Sequence, residues 1–253
     1  MMMAENSGIE WTDHTFNPWV GCTKISPACD HCYAEAWDLR FGGHRWGSGA
    51  DRRRTKTWGQ PVRWNRQAAG VAARRPRVFC ASLADVFDNH RSIDDGWRRD
   101  LWALIRQTTY LDWLLLTKRP QNVARYLPSD WGTGYPNVWL GTTVENQVEH
   151  DRRVPILTAI PAAIRFLSME PLLGPVDLGG AEGLHWVIAG GESGSQHRPT
   201  DPDWFRSLRD QCAVVDVPFL FKQWSGRNQA EIKAKGRLLD GTLHDSYPEA
   251  REI

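Results

Sequence analysis

The chain has 253 residues, with 31 Lys and Arg against 30 Asp and Glu. A formal net charge of +1 excludes a global electrostatic case for nucleic acid or a membrane surface, and no run reaches the ~18 apolar residues of a membrane span. Five cysteines, an odd number, argue against a disulfide framework, and the length suits one large α/β domain.

The opening MMMAENSGIEWTDH places Glu5 and Asn6 where a signal peptide needs an apolar stretch, which predicts a cytoplasmic protein with no membrane partner. FNPWVG (16–21) reads as a first short strand. It leads into GCTKISPACDHCYAE (21–35), which packs Cys22, Cys29 and Cys32 into eleven positions. Pro27 marks SPACDHC as a loop, and DHCYAEAWDLR reads as the start of a helix. Residues 41–76 then break the rhythm: they are Gly-rich and basic, carry Trp46, Trp58 and Trp64, and read as an insertion or lid after the first unit.

RVFCASLADVFD (77–88) is the next strand candidate. SIDDGWRRDLWALIRQT (92–108) reads as a helix, with Ser92 as cap and Trp97, Leu101, Leu104 and Ile105 on one face. LDWLLLTKRP (111–120) and NVWLGTTVENQ (137–147) follow as strands. NQVEHDRRVPILTAI is a weaker helix, because Pro155 should break or kink it. IRFLSMEPL (164–172) and LHWVIAGGESG (184–194) are strands, and DPDWFRSLRDQCAVV (201–215) is a helix with Asp201 as cap and Pro202 in its first turn. VPFLFKQWSG (217–226) is the last strand candidate, and in the tail only GRLLDG suggests structure, a short hairpin arm.

The strand runs are rich in Val, Ile, Leu, Phe and Trp without clean alternation, as parallel strands buried on both faces should be. Their starts fall one βα unit apart. The expected architecture is α/β: a parallel-stranded sheet of about six to seven strands curled into a full or partial barrel. It forms a single domain over residues 1–253, with 226–253 as a C-terminal extension; a flat doubly wound sheet is the rival.

Cys22, Cys29 and Cys32 form C-x6-C-x2-C in a loop that enters a helix, whose N-terminus favours thiolates and an anionic cluster. Three readings stay open. The cysteines are inert, or they hold a structural zinc with His14, His31 or His44 as fourth ligand, or they hold a [4Fe–4S] cluster with one iron lacking a protein ligand.

Three cysteines in one loop after the first strand of a parallel barrel resemble the radical S-adenosylmethionine (SAM) superfamily. More closely, WTDHTFNPWVGCTKISPACDHCYAE, RVFCASLADVFD, LLLTKRP, VWLGTTVENQ, RFLSMEPLLGPV, WVIAGGESG and FKQW resemble the phage-associated three-cysteine-motif family, over roughly residues 9 to 225. That family's reaction is uncharacterised. The superfamily resemblance implies a [4Fe–4S] cluster on Cys22, Cys29 and Cys32, SAM as cofactor, and an external electron donor. Two departures stand out. The commonest superfamily spacing is C-x3-C-x2-C, so the loop here is longer. The Gly-Gly-Glu expected at the second strand is replaced by ASLADVFD, and the GGE at Gly190–Glu192 follows a later strand. His31 stands where the superfamily usually has an aromatic residue that covers the cluster.

Ligands of parallel sheets gather at the carboxyl ends of strands, and those ends are polar here. They carry Ser82 and Asp85; Thr117, Lys118 and Arg119; Thr142, Thr143, Glu145 and Asn146; Ser168 and Glu170; and Glu192 with Ser193. By strand position, the resemblance implies Lys118 or Arg119 for the methionine carboxylate, Glu145 and Asn146 for the ribose, and Gly190 and Gly191 beside the adenine. Glu170 would anchor substrate or supporting groups. Helix caps and surface loops are the plain alternative for each. Cys80 is either a small buried strand residue or a hydrogen-atom donor.

Arg52, Arg53, Arg54, Lys56, Arg63 and Arg66 interleave with Trp58 and Trp64, a combination suited to single-stranded DNA or RNA; a solvated loop with tucked-in tryptophans is the alternative. Two functions of different class follow. One is a radical SAM enzyme that modifies or repairs an unknown substrate, with nucleic acid the leading class. The other is a non-catalytic zinc- or iron–sulfur-stapled binding module acting with a partner protein.

Overall fold

Apolar runs buried on both faces must satisfy their backbone N–H and C=O groups against neighbouring strands. A computed structural model describes residues 7–70 and 74–249 and pairs the runs in this way. The reading of Glu5 and Asn6, residues 71–73 of the insertion and residues 250–253 of the tail lie outside the described residues.

In chain order the elements begin with β1 (His14–Thr15), β2 (Trp19–Val20), a single 3-10 turn (Pro27–Cys29), α1 (Tyr33–Arg40), β3 (Arg53–Arg54) and α2 (Gln60–Ala68). Next come β4 (Arg77–Cys80), α3 (Asp95–Gln107), β5 (Asp112–Thr117), α4 (Pro120–Tyr126), β6 (Val138–Thr143) and α5 (Gln147–Thr158). The chain continues through β7 (Ile164–Met169), β8 (Trp186–Gly190), α6 (Pro202–Val214), β9 (Phe219–Gln223), α7 (Gln229–Lys235), β10 (Leu238–Leu239) and β11 (Thr242–Leu243).

Seven strands follow the order β1-β4-β5-β6-β7-β8-β9, so the expected α/β sheet and its strand number are met, and the order is open, with β1 and β9 at its ends. Neighbours pair in parallel, with His14 opposite Val78, Cys80 opposite Leu115, and Met169 opposite Ala189. The register slips between Ala189 and Gly190, so that Gly190 meets Gln223.

The chain divides into two compact units. The first comprises Met1–Lys24, Ala34–Leu140 and Pro161–Ala163. Its core sets Phe16 edge-on to Trp113 and stacks Trp64 on His14 at 4.3 Å. The second comprises Ile25–Tyr33, Gly141–Ile160 and Ile164–Ile253. Phe166, Trp186, Phe205 and Phe221 are fully buried in it. Its tail runs antiparallel beside β9: Leu220 bridges Asp245, and Phe221 N donates to His244 O.

Three expectations are corrected. FNPWVG is not a strand of the seven-stranded sheet. Phe16 N still donates to Phe79 O, but Pro18 has no N–H to continue the ladder, and Trp19–Val20 turns away to pair antiparallel with Arg53–Arg54. Ser92 does not cap α3; its Oγ accepts from Arg52 N, and Asp94 caps by accepting from Gly96 N. Pro155 does not end α5. The missing N–H falls in the last turns, where the helix continues and Ala159 N donates to Pro155 O. Within the segment 52–66, α2 carries Trp64 into the core, 1% exposed, as in the tucked-in alternative, and Arg52 is 4% exposed. By contrast, α6 is capped by Asp201, and GRLLDG forms the β10–β11 hairpin. No helix among the described residues is long and apolar enough to cross a membrane.

Candidate functional site

In the first unit, Cys22 follows β2 at a tight approach. Gly21 has φ +117°, and a Cβ there would lie 2.6 Å from Arg45 O, so only glycine fits. The Cys22 Sγ accepts from Arg119 Nη1 at 3.6 Å. The same guanidinium donates to Asp85 Oδ2 at 3.0 Å and to Thr23 O at 2.7 Å, and its Nε lies 3.7 Å from Asp88. Asp85 also accepts from Thr117 Oγ1, Lys118 N and Phe87 N. Asp88 takes two bonds from Arg52, from Nε and Nη2; Nη2 also donates to Thr23 Oγ1, and Nη1 to the carbonyls of Gly47 and Ala50. Two buried arginines and two buried aspartates thus fix the backbone around Cys22. Burial, and then Asp85, push its thiol up to about 12, against the pull of Arg119.

In the second unit, the loop carrying Cys29 and Cys32 is held at two points. Ala28 N donates to Glu145 Oε1 at 3.1 Å, while Arg153 Nη1 grips Glu145 Oε2 at 2.9 Å and Thr143 O at 2.7 Å. At the second point, Arg198 forks onto Glu192 and reaches Pro27 O at 3.0 Å and Asp30 at 3.3 Å. His31 Nδ1 lies 3.2 Å from the same Glu192. Burial alone would raise the Glu192 carboxyl, but Arg198 and His31 outweigh it and hold the group below its ordinary value. Cys29 is buried and Cys32 half-buried, immediately before α1.

The remaining candidates sort by what they touch. Lys118 is half-buried, and its side chain has no partner among the described residues, whereas Arg119 is fully engaged. Glu145 is 0% exposed with both oxygens bonded, and Asn146 caps α5 through Glu149 N. Ser82 bonds Asn17, and Thr142 is buried within β6. Glu170 pairs with Lys222 at 2.5 Å. A Cβ on Gly191 would lie 2.2 Å from Ser225 N, so the close backbone approach there is to the chain itself; one on Gly190 would meet Glu170 and Gln223 at 3.5 Å. Cys80 ends β4 fully buried, and burial pushes its thiol above the ordinary range.

All five cysteines are free thiols, and among the described residues no three His, Cys, Asp or Glu form a group placed to hold a metal ion. Of the histidines considered as a fourth zinc ligand, His14 stacks on Trp64, His31 meets Glu192 and His44 is exposed. In the 52–66 segment, Arg52 and Trp64 are spent in the interior, and Arg54 lies 4.2 Å over Trp58. That leaves Arg53, Lys56, Arg63 and Arg66 exposed. Sequence reasoning missed Asp88, Arg153, Arg198 and Lys222. Their partners lie up to 171 positions away, as for Arg198 and Pro27, and no local pattern marks them.

Comparison with known proteins gives a family and a limited structural likeness. The model of a family described as "Protein of unknown function (DUF5131)" matches residues 6–248, extending the resemblance seen over 9 to 225. No curated protein matches the chain. A Cys-to-Ser mutant of spore photoproduct lyase is similar at 14% identity and TM-score 0.48, over 81% of this chain and 62% of that one. A double mutant of the lyase with bound AdoMet and dinucleoside spore photoproduct gives 14% and 0.47, over 79% and 61%. This chain therefore spans about three fifths of the length of those two.

Proposed function

Because the chain belongs to the DUF5131 family of proteins of unknown function, we propose from its own residues that it is a radical SAM enzyme acting on nucleic acid. One observation carries this reading: three free thiols within eleven positions, in a loop whose backbone is fixed by buried ion pairs. The donor chemistry fits a [4Fe–4S] cluster on Cys22, Cys29 and Cys32. Arg119 at the Cys22 sulfur supplies positive charge where an anionic cluster needs it. No ready metal cage exists among the described residues, so metal binding is coupled to the final placement of the sulfurs. When bound, the cluster supplies the electron that cleaves SAM.

The chain's residues then divide the remaining work. Lys118, with its ammonium uncommitted, binds the methionine carboxylate. Arg119 and Asp85 orient the Cys22 segment, and Glu145 and Glu192 orient the loop of Cys29 and Cys32. The nucleic acid meets the exposed cations of the 52–66 segment.

Anaerobic reconstitution with iron and sulfide tests the reading. The protein should turn brown, bleach with dithionite as electron donor, and release 5′-deoxyadenosine from SAM; Cys29→Ala should lose the colour and most of the iron. A Cys29→Ala protein with full iron content overturns the ligand assignment. A colourless protein that holds zinc and leaves SAM intact identifies the stapled binding module instead.

A further inference from the structure

A groove of about 810 Å³ in the first unit runs between α3 and the end of α4. Its full cations are five arginines, Arg91, Arg98, Arg99, Arg106 and Arg125, and it has no lysine. Two of the five are committed. Arg98 is buried, bonded to the carbonyls of Val86 and Asp88, with its guanidinium 3.8 Å over the Tyr126 ring. Arg106 is tied to Asp130 and Tyr135. Arg91, Arg99 and Arg125 are exposed, and no carboxylate reaches them among the described residues.

The acidic side chains along the groove are already used. Asp94 caps α3, Asp95 pairs with Arg98 at 3.4 Å, and Asp130 pairs with Arg106. His90 is held between Ser92 and the carbonyl of Ser48. The groove therefore presents unbalanced positive charge in a protein whose net charge is +1.

We infer that this groove binds the phosphate backbone of a single strand of nucleic acid. The planar fork of arginine matches phosphate oxygens, and an all-arginine set is the composition expected for that contact. Arg99 and Arg106 stand seven residues apart on one face of α3, ~10 Å along the axis, so the cations form a lane rather than a point. A protein partner would need an aromatic or aliphatic anchor. Here Trp102 and Ile93 are buried and Tyr126 lies beneath Arg98, which leaves only the half-buried Leu127 and Pro128 as apolar lining, with no exposed aromatic or aliphatic anchor. The inference does not rest on the cofactor reading, because strand binding and SAM cleavage are measured separately and either can fail alone.

The test is fluorescence anisotropy of the full chain with a labelled fifteen-residue thymidine oligonucleotide across a salt series. Three phosphate contacts predict a slope of log K on log salt near ~−2 from these arginines. A triple variant (Arg91→Gln, Arg99→Gln, Arg125→Gln) should bind at least ~10-fold more weakly at ~0.1 M salt and lose that part of the slope. Its thermal melt should match the parent, since all three side chains are exposed. Unchanged binding by the triple variant overturns the inference, as does loss of binding only when Arg53, Lys56, Arg63 and Arg66 are neutralised instead. Tighter binding to polyglutamate or to inorganic polyphosphate than to the oligonucleotide also overturns it, in favour of an acidic protein or a free polyanion.

Discussion

Arg153 has 0% of its surface exposed and divides its guanidinium between Glu145 and the carbonyl of Thr143, with Glu149 at 2.8 Å. Removing one partner of a buried pair strands the other charge, at ~3–5 kcal/mol. Arg153→Ala should therefore lower the unfolding free energy in urea by that amount, and it should loosen the contact between Glu145 and Ala28 N. Asp112 carries a second prediction. Burial raises its carboxyl from 3.8 to about 6, against the opposing pull of Arg75. The native state thus holds this proton more tightly than the unfolded chain. The group's contribution is fully present below its unfolded value and is lost as pH rises through about 6. Asp112→Asn should stabilise the protein at about pH 8 by up to ~3 kcal/mol, a gain that shrinks once the pH falls below about 6. Thermal melts across that range check it. At this scale the sequence marked polar positions well and their partners badly. Glu145 and Asn146 stood out at a strand end, but whether they face a ligand or the chain depends on Ala28 and Arg153, which no local spacing reveals.

Among the elements, α5 shows how a cap and a candidate binding residue can be the same side chain. Asn146 Oδ1 accepts from Glu149 N at 3.0 Å. Asn146→Ala should cost ~1 kcal/mol in urea, and Asn146→Asp, which keeps the acceptor, should restore most of it. If alanine leaves stability untouched and instead lowers SAM binding, the side chain serves the ribose. The longer elements were legible because four to six consecutive apolar residues, or a capped amphipathic run such as α6, carry a period that can be read. The two-residue strands β1, β2 and β3 carry none. The pairing of β2 is decided by Pro18, which cannot donate, and by Arg53 and Arg54 far along the chain, while β1 pairs with β4 more than sixty positions on. Pro155 misled in the opposite direction, since one missing N–H late in a helix is outweighed by the bonds of Arg153 to Thr143 and Glu145 and the burial of Val154.

For the whole molecule, the strand order and parallel sense follow from the buried apolar runs, while the covering of the terminal strand does not. Residues 244–246 lie against β9, Trp186 Nε1 donates to Ser246 O, and Tyr247 packs 5.1 Å from the Trp186 ring. A polar tail without periodicity gave no sign of this. Ending the chain after Gly236 should bare the β9 edge and produce concentration-dependent association, measurable by light scattering; a truncated chain that stays monomeric would show that the tail has no such role. The three anchorages of the cysteine segment carry a last consequence. Arg119 reaches Cys22 across 97 positions, Glu145 reaches Ala28 across 117, and Arg198 reaches Pro27 across 171. The motif is consequently not portable. Transplanted into a foreign scaffold, residues 21–35 would bring their sulfurs but leave behind every group that aims them, and a working graft would have to carry strand ends from most of the host chain as well.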